Sequence, residues 1–224
     1  MAVLWQHCNS LNNVYKSKAM DCVMFTPIRN NVFRWETPWP EGNVMLVGHQ
    51  ILKDTACILI DPPHVPGLIE ALRRIGGQVA IILTTQNHTR GSKYIAFETG
   101  AKIYVPEQNP EAIEPGELVA VKVLSEFEKY SAGKVLGMKI FKDFEDFALL
   151  TEEKDLIVSD NARGTVDGKL ALWPECNPHD PPYPPNEKVH REFKKLIQET
   201  GAVSLLAGHG YDIVGNLQEL EKSL

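Results

Sequence analysis

Three short stretches of this chain bring together side chains that packing alone would not ask for. The first, Thr84-Thr-Gln-Asn-His-Thr-Arg-Gly91, places Asn87, His88 and Arg90 in one tight turn, with Thr85 just before them. The second, Ser159-Asp-Asn-Ala-Arg-Gly164, offers the carboxylate of Asp160. The third, Gly208-His-Gly210, sets His209 between two glycines, a pattern suited to unusual torsions or close backbone approach. Imidazole is the side chain that titrates near neutrality, so His88 and His209 are the candidates for a general acid or base. Arg90 is the candidate contact for an anion. Each residue also has a plain structural reading. Thr85 or Asn87 can cap a helix, and an Asp before a glycine can be no more than a turn.

The elements around these stretches read as a layered α/β arrangement. Asn43–Val47 and Ala56–Ile60 are β-branched apolar runs joined through the polar Lys53-Asp54-Thr55, as in a hairpin. Val65–Ile75 repeats Leu68, Leu72 and Ile75 at helical spacing and ends in Gly76-Gly77. Val79–Thr84 is apolar almost throughout, as in a strand covered on both faces, and leads straight into the first stretch. A helix over Gly91–Thr99 and a strand over Lys102–Val105 follow. Leu118–Leu124, Val135–Phe141, Phe147–Thr151 and Leu156–Ser159 read as a β-meander whose last run feeds Asp160. Helix Glu187–Glu199 presents Val189, Phe193, Leu196 and Ile197 on one side, and strand Val203–Ala207 delivers His209. Asn216 and Glu219 resemble a capping box for the last helix. In layered α/β folds, sites gather at such strand ends.

Composition excludes several classes. With 224 residues, 43 % hydrophobic and 23 % charged, the chain is ordinary globular material, and residues 1–224 are expected to form one domain with 1–42 as an extension on or near the core. That extension is also the candidate contact of a homodimer. The net charge of -6 and the lack of a basic stripe argue against nucleic acid. No run approaches the roughly 20 apolar residues of a membrane span. The opening MAVLWQHCNSLNN has no basic lead, and Cys8, Cys22, Cys57 and Cys176 lack any C-x-x-C spacing. A reducing, cytoplasmic setting is expected. Asp180-Pro-Pro-Tyr-Pro-Pro185 reads as a stiff loop over the pocket mouth, with an SH3-type ligand as the alternative.

The order of these pieces resembles the metallo-β-lactamase (glyoxalase II-like) fold from about Asn43 to Leu224. Asn43–Asp61 is similar to its opening hairpin ending in Ile-Asp, and Ile82-Leu-Thr84 to the strand before its H-x-H-x-D-H loop. Leu156–Asp160 is similar to the strand that ends in the bridging aspartate, and Leu205-Leu-Ala-Gly-His209 to the segment carrying the last metal-binding histidine. The resemblance implies a four-layer αββα sandwich of two mixed sheets flanked by helices. It also implies that Thr85, Asn87, Thr89 and Arg90 stand where the family has three histidines and an aspartate, and that Lys134 replaces a further histidine. Only Asp160 and His209 survive, so the family's dinuclear site is not expected.

The expectation is therefore a protein of this fold without a cofactor, in which Arg90 and Lys134 supply the charge that cations would otherwise bring to Asp160. Thr85, Asn87, Arg90 and Lys134 would bind a small anionic or polar molecule, and His88, His209 and Asp160 would carry any weak hydrolase-like chemistry. Two alternatives stay open. One is a metallohydrolase with a single zinc, manganese or iron ion on His88, Asp160 and His209, which requires the loop to turn by one residue. The other is a non-catalytic scaffold or interaction protein.

Overall fold

The structure is a computed structural model that describes residues 23–39, 44–105, 129–130, 132–138, 146–175 and 186–222. The run Leu118–Leu124, the proline-rich segment 176–185 and residues 1–22 lie outside these, as do Cys8, Cys22 and Cys176.

The larger sheet has six strands in chain order. They are β1 (Thr26–Pro27), β2 (Val32–Pro38), β3 (Met45–Lys53), β4 (Ala56–Ile60), β5 (Gln78–Ile82) and β6 (Lys102–Tyr104). β2, β3 and β4 pair antiparallel, while β4, β5 and β6 pair parallel, so the sheet is mixed. All five side chains of β4 are buried, as its central place requires. The hairpin turns where expected, with Lys53 opposite Ala56, but its first strand runs six residues further than its apolar run, through Gly48, His49 and Gln50. The stretch 26–38, which shows no clear period, supplies two strands of this sheet, and Val32 and Trp35 are fully buried in it.

The smaller sheet has the order β12–β9–β8–β7. Its strands are β7 (Lys134–Met138), β8 (Asp146–Leu150), β9 (Asp155–Val158) and β12 (Ser204–Ala207). β7, β8 and β9 form the expected meander, and β12 joins β9 in parallel. Between β9 and β12 the chain makes a small hairpin, β10 (Ala162–Gly164) with β11 (Leu170–Leu172), which its three-residue strands left unmarked in the sequence.

Three apolar layers hold the elements together. The first is inter-sheet: Val32, Ile51, Ile58, Ile60, Ala80, Ile82 and Tyr104 of the larger sheet meet Val135, Leu149, Ile157 and Leu206 of the smaller. Outside the larger sheet, helix α1 (Leu68–Ile75) seats Leu68, Ile69 and Leu72, and α2 (Ser92–Thr99) seats Ile95, against Cys57, Leu59, Ile81 and Ile103. On the smaller sheet's outer face, α3 (Glu187–Thr200) and α4 (Leu217–Glu221) bury Val189, Phe193, Ile197 and Leu217 against Leu156, Val158 and Leu205. The result is the expected αββα sandwich. Asn186 caps α3 by accepting from the backbone N–H groups of Lys188 and Val189, and Gly201 ends it in the left-handed region. The capping box expected at α4 does not form, since the Asn216 side chain makes no cap hydrogen bond. Among the described residues, no helix is long and apolar enough to cross a membrane.

The sheets are stitched at one end. Phe147 N–H donates to Thr84 O at 2.8 Å, and Val47 N–H to Gly208 O at 3.1 Å. At that seam, the C-terminal ends of β4, β5, β9 and β12 release Asp61, the Thr84–Gly91 stretch, Asp160 and His209.

Candidate metal centre

The stretch after β5 opens with a single 3-10 turn over Gln86–His88, and Thr85 Oγ1 accepts from Asn87 N–H at its start. His88 N–H closes the turn on Thr85 O at 3.2 Å. This tight winding swings His88 inward, to a buried position, and leaves Asn87 exposed. His88 Nδ1–H donates to Asp61 Oδ2 at 2.9 Å, and Nε2 lies 3.0 Å from Asp160 Oδ1. Asp61, which ends the hairpin, accepts a hydrogen bond from Thr84 N–H at 2.8 Å. It also takes the Thr84 hydroxyl at 2.5 Å, and its link to His88 carried no sequence signal. Its φ of 48° shows how sharply the backbone bends to bring the carboxylate under the loop.

His209 reaches the same point from the smaller sheet. Its Nδ1–H donates to Met45 O at 2.9 Å, and its Nε2 lies 3.3 Å from Asp160 Oδ1. The flanking glycines have a spatial reason. A Cβ on Gly208 would lie 2.8 Å from His88 Cε1, and one on Gly210, which has φ of 71°, would lie 2.7 Å from Arg163 Cδ.

Arg90 threads through the seam with a left-handed backbone, φ 37°. Its Nη1 donates to Val47 O at 2.6 Å and Asp61 O at 3.0 Å, and its Nη2 donates to Gly208 O at 3.1 Å. Nη2 also stands 3.1 Å from His88 Nε2 and 3.1 Å from His209 Nε2.

The charges of this cluster are tightly coupled. Burial opposes ionisation of Asp61 and Asp160, yet the His88 imidazole and the Arg90 guanidinium hold both carboxyls below the usual carboxylate range. Burial and Arg90 press His88 downward, but Asp160 and Asp61 outweigh them and raise it to about 9. His209, whose charged form Asp160 and the Met45 carbonyl favour, is still brought down to about 4 by burial together with Arg90 and His88. Burial likewise lowers the Arg90 pKa, against the pull of Asp61 and Asp160.

Of the residues singled out in the sequence, His88, Arg90, Asp160 and His209 thus come together. Thr85 caps the turn and Asn87 faces outward. Lys134 does not reach the site. It pairs with Leu150, which pairs with Leu156, four positions before Asp160 and so about 13 Å back along the strand direction. The placement that put Lys134 beside Asp160 ignored that β7 begins at the far end of its sheet.

A family model described as "Metallo-beta-lactamase superfamily" matches residues 24–224. The chain belongs to this superfamily. Among solved structures it is similar to the DIM-1 metallo-beta-lactamase (TM-score 0.64, 13 % identity, covering 92 % of this chain and 98 % of that one). A metallo-beta-lactamase from Erythrobacter litoralis (TM-score 0.58, 9 % identity, 90 % and 93 %) shares the fold as well. So does a chemotaxis sensor, ODP, whose structure holds a peroxy diiron species (TM-score 0.53, 14 % identity, 88 % and 90 %). At these identities the likeness is one of fold. No curated protein matches the sequence.

The expectation of a site without a cofactor is corrected by these findings. The relatives in fold are metal proteins, and His88, Asp160 and His209 bring one ligand atom each to within 4.8 Å of one another. His88 falls between the family's motif positions, so a three-donor set was open only if the loop turned by one residue, and the 3-10 turn supplies that rotation. The donor chemistry fits one ion. Two imidazoles and a carboxylate are a usual protein set for catalytic zinc and for non-haem iron. Among the described residues a second ion finds no matching set, since Thr85 caps the turn, Asn87 faces outward and Arg90 brings positive charge.

Proposed function

We propose that the protein is a hydrolase of the metallo-β-lactamase type built on a single divalent ion held by His88, Asp160 and His209, acting on a small anionic or polar molecule. One observation carries this reading. Both histidines spend Nδ1–H on a fixed acceptor, Asp61 for His88 and the Met45 carbonyl for His209, and so turn both Nε2 atoms toward Asp160. This is the outer-shell arrangement that fixes tautomer and ring orientation in metal-ligating histidines. A divalent ion on such a set supplies Lewis acidity and lowers the pKa of water, which is what hydrolysis at neutral pH requires.

The chain's own residues then have distinct tasks. Asp61 orients His88 and raises its basicity, and it is itself fixed by two hydrogen bonds from Thr84. Met45 O holds the His209 ring. Arg90 is the positive group at hand for an anionic substrate. The test is elemental analysis and zinc, manganese and iron titration of tag-free protein by calorimetry. About one ion per chain is expected, with binding lost in Asp160→Ala and His209→Ala while the fold is kept. No uptake above background for any of the three ions overturns the reading.

A further inference from the structure

The Arg90 guanidinium stands against the two imidazole nitrogens that would ligate an ion. Its Nη2 is 3.1 Å from each imidazole Nε2. An ion ligated at the roughly 2.0–2.1 Å typical of zinc and imidazole cannot share that space with a guanidinium nitrogen. Like charge forbids it as firmly as volume does. The position is built rather than incidental. Carbonyls of Val47 in β3 and of Asp61 and Gly208 just past β4 and β12 hold the guanidinium, and the backbone accepts a left-handed conformation to deliver it.

We propose that Arg90 is the internal competitor of the metal ion: its guanidinium keeps the ion's place among His88, Asp160 and His209 in the ion-free chain and withdraws when an ion binds. The inference rests on the single-ion reading above and adds that loading is an exchange of one cation for another. Two carboxylates, the buried Asp61 and the half-buried Asp160, must be balanced in either state, and an uncompensated pair would be costly. Arg90 supplies part of that balance before the ion arrives. The measured affinity is then lowered by the fraction of chains in which the guanidinium holds the site. The Nη1 contacts with Val47 and Asp61 lie away from the donors, so the part of the group that must leave is the Nη2 arm.

Zinc titration by calorimetry of the wild type, Arg90→Met and Arg90→Gln is the test, with the amide of the second variant still able to donate to the vacated carbonyls. Removal of the competitor should tighten zinc binding about tenfold or more. Equal or weaker binding in folded variants overturns the inference and leaves the single-ion reading standing. No zinc uptake in any of the three proteins overturns both. Should neither variant fold, the guanidinium protons of Arg90 in the wild type decide the matter by ¹⁵N NMR. Protection that is lost on zinc addition supports the exchange, and protection unchanged at one bound zinc per chain refutes it.

Discussion

A histidine clamped between two carboxylates must make the ion-free protein weaker in mild alkali, and the size of the effect follows from the site. His88 donates to Asp61 through Nδ1 and faces Asp160 through Nε2, and these two carboxylates raise its pKa from 6.5 to about 9. At about 1.36 kcal/mol per pKa unit, that rise corresponds to about 3 kcal/mol. The sign is set by linkage. Below pH 6.5 both the folded and unfolded chains hold the proton, and the stabilisation is present in full. Between 6.5 and about 9 only the folded chain holds it, so stability falls by about 1.4 kcal/mol per pH unit. Urea unfolding from pH 6 to 10, in the presence of a chelator and followed by the fluorescence of the buried Trp35, measures this directly. His88→Asn keeps an amide able to donate to Asp61 but has no proton to lose. It should be weaker at pH 6 by most of that amount and nearly flat up to pH 9. Parallel curves for the two proteins would refute the clamp. A ¹⁵N titration placing the His88 ring near 6.5 would do the same.

Other perturbations separate the parts of the site. Asp61→Asn should lower zinc affinity about 10–100-fold, read by competition with a chelating dye, because the His88 ring loses its charged anchor. Gly208→Ala drives a Cβ to within 2.8 Å of His88 Cε1 and should weaken zinc binding in calorimetry, whereas Gly137→Ala on β7 meets open space and should not. Asp212 is buried beneath the His209 loop, accepts from Ala207 N–H, and faces Arg34 at 3.2 Å and His49 at 3.4 Å. Burial works against its charge, but His49 and Arg34 hold it below the usual carboxylate range, so its contribution is present at neutral pH and is lost as pH falls through the acid range. Asp212→Asn should therefore cost about 3 kcal/mol in urea unfolding at pH 7, by stranding Arg34 and His49, and should remove part of the acid sensitivity.

The sandwich was legible wherever burial covers both faces of a strand. β4, β5, β9 and β12 are largely apolar runs because they lie between the inter-sheet layer and the helices, and the buried Asp155 and Ser204 that open β9 and β12 are both paired with Arg29. β2 escaped notice because its pattern, with Arg34 and Glu36 beside Trp35, is that of a strand next to the sheet edge, which the two-residue β1 covers only in part. Asp160 and His209 could be picked out because each ends such a run. His88 was visible as a residue, and as a donor only if its loop turned by one position, a rotation that depends on a three-residue turn closed by one backbone hydrogen bond. Asp61 lies 27 positions from His88, and parallel pairing of β4 with β5 in the register Ile60 to Ile82 brings them together. That register is a property of the assembled sheet. Lys134 failed for the same reason in reverse, for a turn matched by its residues alone says nothing of the sheet end at which it lies.

The pH dependence and the metal reading also constrain each other. Without an ion, the carboxylates of Asp61 and Asp160 are balanced by the proton on His88, which is in contact with both, and by the nearby charge of Arg90, which holds both ionised from a greater distance. A divalent ion brings the same positive charge but needs His88 Nε2 unprotonated, because ligation uses the lone pair that the proton would occupy. The zinc-saturated chain therefore holds no extra proton between pH 6.5 and 9, and the alkaline decline of about 1.4 kcal/mol per pH unit should disappear from its urea curves. If saturating zinc left the decline unchanged, the ion would be sitting elsewhere than on His88. If the decline vanished in the wild type but zinc had no effect on the flat curve of His88→Asn, the same nitrogen would be fixed as both the proton's site and the ion's.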